Sequence, residues 1–439
     1  MTRIAIVGAG IAGLSAAWEL QRLGVRNCLL LEAKRHAGGC LASAANDGFL
    51  MERGADSFLS AKTSALELCR ELGLEGELVP SAAPRTRILH GGRLLALPAG
   101  WRMIAPGELE PVMESELFTR SVKAEIRLRF PDLVAPAGED EALGAYLRRR
   151  WGTEAGEAIL ATIAGPLLGG IYGGGADAAE KFLVPRSSLP PSRSGTSPFI
   201  SLRSGMGSLI EALVARLQPD VLRLGAEVVA VERAGSGWRL RMASGEGIEC
   251  RALIMALPAW RAAELLRGAH PRLARALALI RYSSAVSVNI GFNPAPALPA
   301  GSGFVVAERR ALLAATFAHQ KFPQRAPEGA GVVRMFYGDE QVEWPNWRLA
   351  RQAGADARSV LGAPLWNAVK LRVDRWRRAM PQYTVGHAER MNVIADETRS
   401  IANLALAGNA YSGVGIPDCI ASGRQAAQQA VRRAAGIET

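Results

Sequence analysis

Thiols and imidazoles are scarce in this chain. Five cysteines (Cys28, Cys40, Cys69, Cys250 and Cys419) are spread over 439 residues, odd in number and without a CxxC pair. That excludes a disulfide framework and a thiolate metal site, and fits a reducing, cytoplasmic compartment. The five histidines, His36, His90 and His387 among them, form no metal-ligand or Ser/His/Asp spacing. No metal and no acid–base residue is therefore assigned. Lysine is rare, supplying only six of the 52 basic residues, and none stands at a position that reads as flavin-facing. The net charge of +11 is scattered, with no basic tail. That argues against a nucleic-acid partner and leaves an anionic substrate or a membrane surface. Repeats and low-complexity tracts are absent. One charge-free stretch, residues 158–176, carries Pro166 and six glycines, a poor composition for a spanning helix. The apolar N-terminus resembles a signal peptide only superficially, because cleavage would destroy the motif described next.

The chain does hold a glycine turn in an informative setting. The run Ile4-Ala5-Ile6-Val7 predicts a buried strand, Gly8-Ala9-Gly10-Ile11-Ala12-Gly13 a turn, and residues 14–20 a helix. A second strand, Cys28-Leu29-Leu30-Leu31, ends on Glu32. Strand, glycine turn, helix, strand and acid in this order and at this spacing are what a dinucleotide site needs. Gly8 makes the tight turn, Gly10 admits a pyrophosphate, and Gly13 lets the helix approach the sheet. The helix N-terminus attracts phosphate charge, and Glu32 can accept from a ribose. Only one such fingerprint occurs. This fits a flavoprotein reoxidised by oxygen or a quinone, and equally a simple NAD dehydrogenase. The glycine-rich turn Gly413-Val414-Gly415-Ile416-Pro417 tilts the choice to a flavin, since it can aim backbone N–H groups at the ring edge where charge accumulates on reduction.

With 49% hydrophobic and 21% charged residues over 439 positions, two or three globular domains are expected. The fold class is α/β: a discontinuous Rossmann-like nucleotide domain carrying an inserted α+β substrate domain and a helical insertion. Residues 1–85, 201–260 and 396–439 are assigned to the nucleotide domain, 86–200 to the helical insertion and 261–395 to the substrate domain. A three-stranded meander is expected within 227–257, a hairpin over 86–97, and helices over 347–361 and 365–373. In the insertion, apolar residues from Trp101 to Phe118 alternate with Arg102, Arg120, Lys123, Arg127 and Arg129. This pattern suits either a helix lying on a membrane surface or one packed on its own domain.

Several motifs carry a resemblance. Glu32-Ala33 with Gly38-Gly39, then Gly54-Ala55-Asp56-Ser57, resemble the flavin loops of the amine-oxidase-like FAD superfamily. The segment Arg375-Trp376-Arg377-Arg378-Ala379-Met380-Pro381-Gln382-Tyr383-Thr384-Val385-Gly386-His387 resembles a signature of its oxygen-dependent porphyrinogen oxidases. So do Ala407-Gly408-Asn409-Ala410-Tyr411-Ser412-Gly413-Val414-Gly415-Ile416-Pro417 and Pro166-Leu167-Leu168-Gly169-Gly170-Ile171-Tyr172-Gly173-Gly174. The sequence departs from the family pattern at His36, Cys40 and Gly175. The resemblance implies FAD as cofactor, a porphyrinogen as substrate and oxygen as electron acceptor. Protoporphyrinogen IX is the leading substrate and coproporphyrinogen III the alternative. Another amine-oxidase-like flavoenzyme, or a non-catalytic FAD-binding protein, stands behind these. The resemblance places FAD on Gly8, Gly10, Ile11, Ala12, Gly13, Glu32, Ala33, Gly39, Gly54, Ala55, Asp56, Ser57, Val228, Trp376, Gly408, Val414, Gly415 and Ile416. It places substrate on Arg87, His90, Gly173 and Gly174. A peripheral contact with the inner membrane and a dimer are both left open.

Overall fold

The computed structural model describes residues 2–82, 85–132, 140–173, 198–363 and 365–434. Two seven-stranded sheets organise them. In the first, Thr2–Val7 lies between Cys28–Glu32 and Gly247–Met255, parallel to both. Leu222–Leu224 and Leu404–Leu406 add further parallel strands, while Val228–Ala234 and Gly237–Met242 form an antiparallel meander onto Gly247–Met255. Residues 4–7 of the first strand are buried on both faces, which is why they read as a continuous apolar run. One face is covered by the helices Ile11–Arg22 and Ile416–Ala434, and the other by Ala259–Leu266 and Pro271–Ala278. Strands from residues 2–32, 222–255 and 404–406 thus meet in one sheet, the discontinuous Rossmann-like arrangement expected from the sequence.

The second sheet runs in the order Ala368–Pro381, Tyr282–Phe292, Gly331–Tyr337, Leu312–Phe317, Gly303–Val306, Thr86–His90, Arg93–Ala96. Two expectations need correction here. The hairpin of residues 86–96 belongs to this sheet and not to the helices that follow it, because Thr86–His90 pairs in parallel with Gly303–Val306. Residues 365–373 are not a helix: a single 3₁₀ turn, Leu365–Asn367, opens into the long strand Ala368–Pro381. Val369, Leu371 and Val373 alternate with Lys370, Arg372 and Asp374 at the strand period. The polar face is tied down by Lys370 on Asp47 and by Asp374 on Arg53.

The helices of residues 110–172 enclose their own core. Val112, Leu117, Phe118, Val122, Ile126, Leu147, Trp151 and Ile159 are all buried in one cluster. The apolar positions that could have met a lipid surface are therefore mostly turned inward; Leu128 and Ile171 remain outside. One helix, Thr153–Tyr172, is long and apolar enough to cross a membrane by composition, but 56% of its most apolar window is buried in the protein. Its middle, Leu160–Ala164, widens to a π-turn just before Pro166. Proline lacks the N–H and crowds the carbonyl four residues back, and a widened turn relieves both.

Candidate functional site

A single cavity of about 2660 Å³ runs from the first sheet's glycine turn to the second sheet's concave face. Its first wall is built by the chain itself. Gly8 N–H bonds to Leu31 O at 2.8 Å, and Gly38 N–H to Ala9 O at 2.8 Å, so the two glycine loops lie against each other. The Glu32 carboxylate accepts from the Ala9 amide at 2.8 Å and the Lys34 amide at 3.0 Å, fixing turn and strand end together. Gly8, Gly10, Ile11, Ala12, Glu32, Ala33 and Gly39 face this cavity. Gly13 does not line it. It acts from behind, where a Cβ would fall 1.8 Å from Gly8 O, so only glycine lets the helix seat against the turn. Gly54 is equally constrained, its Cβ position lying 1.6 Å from Cys40 O.

The meander contributes Val228, and the C-terminal turn contributes Gly408, Val414, Gly415 and Ile416. That turn is held internally. Gly408 N–H donates to Ser422 Oγ at 3.1 Å, and Gly415 N–H to Asp418 Oδ2 at 3.2 Å. Asp418 is in turn paired with Lys62 at 2.7 Å.

Ala55, Asp56, Ser57 and Trp376 lie at the junction of the two sheets. The Trp376 indole donates to Arg53 O at 2.8 Å, so the ring has one fixed orientation. Asp56 is paired with Lys321 at 2.8 Å, and Ser57 Oγ also accepts from Lys321. Burial alone would push the Asp56 carboxyl up, but Lys321 and Arg334 more than offset it and hold it below the usual carboxylate range. Lys321, Lys34 and Lys62 all line the cavity. Nothing in the sequence marks Lys321, since its partner lies 265 positions away.

Of the expected substrate residues, Arg87 and Gly173 face the cavity. Arg87 makes only long contacts, to Ala300 O at 3.4 Å and Leu94 O at 3.5 Å, and remains open to an anion. Arg85 and Arg102 stand on the same wall. His90 is a correction: it sits at the exposed tip of the hairpin, opposite Arg93, and does not line the cavity. It stands three positions from Arg87 on the same strand, and so on the opposite face. Gly174 lies outside the described residues. His387, read from sequence as structural, is buried yet faces the cavity, and no protein partner meets either ring nitrogen. Burial and Arg390 push its imidazole down to about 4, so it is neutral near pH 7. Among the described residues no cluster fits a metal ion.

The glycine cradle, the acid at the second strand's end and the cavity-lining turn of residues 414–416 fit a dinucleotide with a ring at its far end. Comparison with known proteins agrees. The flavin-containing amine oxidoreductase family matches residues 11–431. A coproporphyrinogen III oxidase of Propionibacterium freudenreichii is 31% identical, covering 98% of this chain and 90% of that protein. One from Bacillus subtilis is 29% identical over 98% and 97%. A crystal structure from Exiguobacterium sp. 255-15, provisionally named a protoporphyrinogen oxidase, superposes with a TM-score of 0.86 at 31% identity and 98% coverage of both chains. When bound, FAD supplies the hydride acceptor; the protein supplies the cradle, the cations and the walls. The chain belongs to the flavin-containing amine oxidoreductase family and is an FAD-dependent oxidoreductase.

Proposed function

We propose that this enzyme oxidises a porphyrinogen to the corresponding porphyrin, with FAD as cofactor and oxygen as final acceptor. The observation that carries the reading is the cavity. At about 2660 Å³ it is more than twice the roughly 1,000 Å³ upper range of ordinary small-molecule pockets, as two large ligands side by side require. On this reading the first sheet is the nucleotide body. Its glycine loops take the pyrophosphate, Glu32 the ribose, Val228 the adenine side and residues 414–416 the flavin end. The chamber between the two sheets takes the macrocycle, with Trp376 on its wall. Arg85 and Arg87 meet the propionates, for which a guanidinium fork is well matched.

Protoporphyrinogen IX is the reading drawn from the sequence motifs. Coproporphyrinogen III is the second reading, favoured by the names of the two bacterial relatives above. Aerobic incubation with each porphyrinogen, following porphyrin fluorescence and peroxide, separates them. The preferred substrate is the one turned over with the higher kcat/KM. No rate above the non-enzymatic one with either substrate would refute the proposal. Yellow protein that an anaerobic porphyrinogen fails to bleach would identify a non-catalytic FAD binder.

Arg87→Ala tests the propionate contact. A charge-assisted hydrogen bond is worth about 1.5 kcal/mol, roughly tenfold in affinity. KM for the porphyrinogen is expected to rise by about that factor with kcat within about twofold. His90→Ala, at the exposed tip, should leave both unchanged. Steady-state kinetics of the two variants check this, and equal effects would reassign the contact.

A further inference from the structure

We propose that Tyr383 is a positioning residue that sets the flavin-side turn of residues 408–413 and, with Gln382, couples it to the wall of the substrate chamber. The proposal rests on the flavin reading above. The Tyr383 hydroxyl donates to Asn409 O at 2.6 Å, and the Gly413 amide is directed at the Tyr383 hydroxyl oxygen itself. Asn409 Nδ2 returns a hydrogen bond to Ala379 O at 3.1 Å. One side chain thus grips the turn at two points four residues apart, and the turn grips back.

Gln382 reaches the other way. Its Nε2 donates to Tyr172 O at 2.9 Å and to Ser283 Oγ at 2.8 Å. Tyr172 ends the helix Gly165–Tyr172, and Gly173 takes the left-handed conformation that closes it. The carbonyl that Gln382 holds is one of those a helix end leaves without an intrahelical partner. The Tyr383 ring stacks on His387 at 4.1 Å and lies 6.3 Å from Tyr172, so its orientation is fixed by packing on two sides. Both residues follow directly from Pro381, where the cavity-crossing strand ends. A shift in any one of the strand, the helix end or the turn is transmitted to the others through these bonds.

On the flavin reading, the turn of residues 413–416 would hold the ring end that gains negative charge on reduction. Holding that turn in place stabilises the reduced state through oriented dipoles. Tyr383→Phe deletes one oxygen and keeps the stack. The flavin should become about tenfold harder to reduce, equivalent to a potential about 30 mV more negative for a two-electron couple. FAD stoichiometry should be unchanged. Gln382→Met removes one of two hydrogen bonds to Tyr172 O, Ser283 Oγ keeping the other, and breaks the bond from Gln382 to Ser283. It should leave the potential unaltered and raise the KM for the porphyrinogen severalfold. The potential is read by anaerobic titration with a dye couple and no substrate, so it remains informative even where no porphyrinogen is turned over. An unchanged potential in Tyr383→Phe overturns the proposal, as does an equal shift in Gln382→Met. If Tyr383→Phe fails to retain FAD, Asn409→Ser removes the return bond alone. It should shift the potential in the same direction, and no shift there is equally fatal.

Discussion

Gly10→Ala is expected to yield a folded protein that purifies without its yellow colour. The prediction turns on who would collide with the new methyl group. Gly10 has φ −71° and ψ 178°, extended backbone that alanine adopts freely. A Cβ there meets nothing closer than Gly39 Cα at 4.0 Å, an ordinary van der Waals contact. The protein alone therefore tolerates alanine. The methyl instead points into the cradle between the two glycine loops, where a pyrophosphate must approach the backbone. Forcing a methyl into a filled site costs about 1–3 kcal/mol, and the upper end of that range is roughly a hundredfold in affinity. Gly13→Ala makes the contrast. Its Cβ would stand 1.8 Å from Gly8 O and 3.2 Å from the Ala256 Cβ, so the helix itself must move. That variant should lose FAD and thermal stability together, whereas Gly10→Ala should match the FAD-free native protein in Tm. Flavin-to-protein absorbance ratios after reconstitution, with thermal melts of both apo forms, give the comparison. Stoichiometric FAD in Gly10→Ala would remove the nucleotide cradle from residues 8–13.

The difference between those two glycines was legible before any coordinates, because turn, helix start and neighbouring strand are all set within about thirty residues of one another. What escaped reading is what the chain assembles over long distances. Lys321 meets Asp56 across 265 positions, and no local pattern marks either as the other's partner. Thr86–His90 joins the second sheet through a parallel strand that begins at Gly303, so the hairpin belongs with strands far along the chain and not with the helices that follow it. The motif from Arg375 to His387 was visible as a string, but its division of labour was not. Trp376 faces the cavity from the strand and Tyr383 from the turn after it, while Gln382 does not line it and reaches to the helix end. The helix expected over 365–373 failed for a related reason. Short apolar runs fit both periods, and the pairing with Tyr282–Phe292 decides between them.

Arg325→Met is the substitution expected to cost the most stability. Arg325 is 1% exposed and its ion-pair partner Glu52 only 3%, with nitrogen and oxygen 3.0 Å apart. The guanidinium also donates to Leu202 O at 3.2 Å, Arg203 O at 3.1 Å and Ser201 Oγ at 2.7 Å. Glu52 accepts in addition from the Met206 amide at 2.9 Å and Ser43 Oγ at 2.6 Å. Losing one partner from a buried pair leaves the other charged and unpaired, which costs about 3–5 kcal/mol, or roughly 10 °C in the first thermal transition. The pH dependence has a defined sign. Burial pushes the Glu52 carboxyl up, and Arg325 partly opposes it. Without Arg325 the folded-state value climbs further above the unfolded one. A protonated Glu52 is neutral and costs less to bury, so the deficit is smallest in acid. It grows as pH rises through the window between the raised value of the native protein and the still higher one of the variant. Glu52→Gln added to Arg325→Met removes the stranded charge and should recover more than half of the loss, with the pH dependence gone. A single variant as stable as the native protein in both acidic and alkaline buffer would show the pair to be idle. Because Glu52 stands two residues before the cavity-lining loop of residues 54–57, the same variant should also release FAD at a lower temperature than it unfolds, a separation that flavin fluorescence during the melt would reveal.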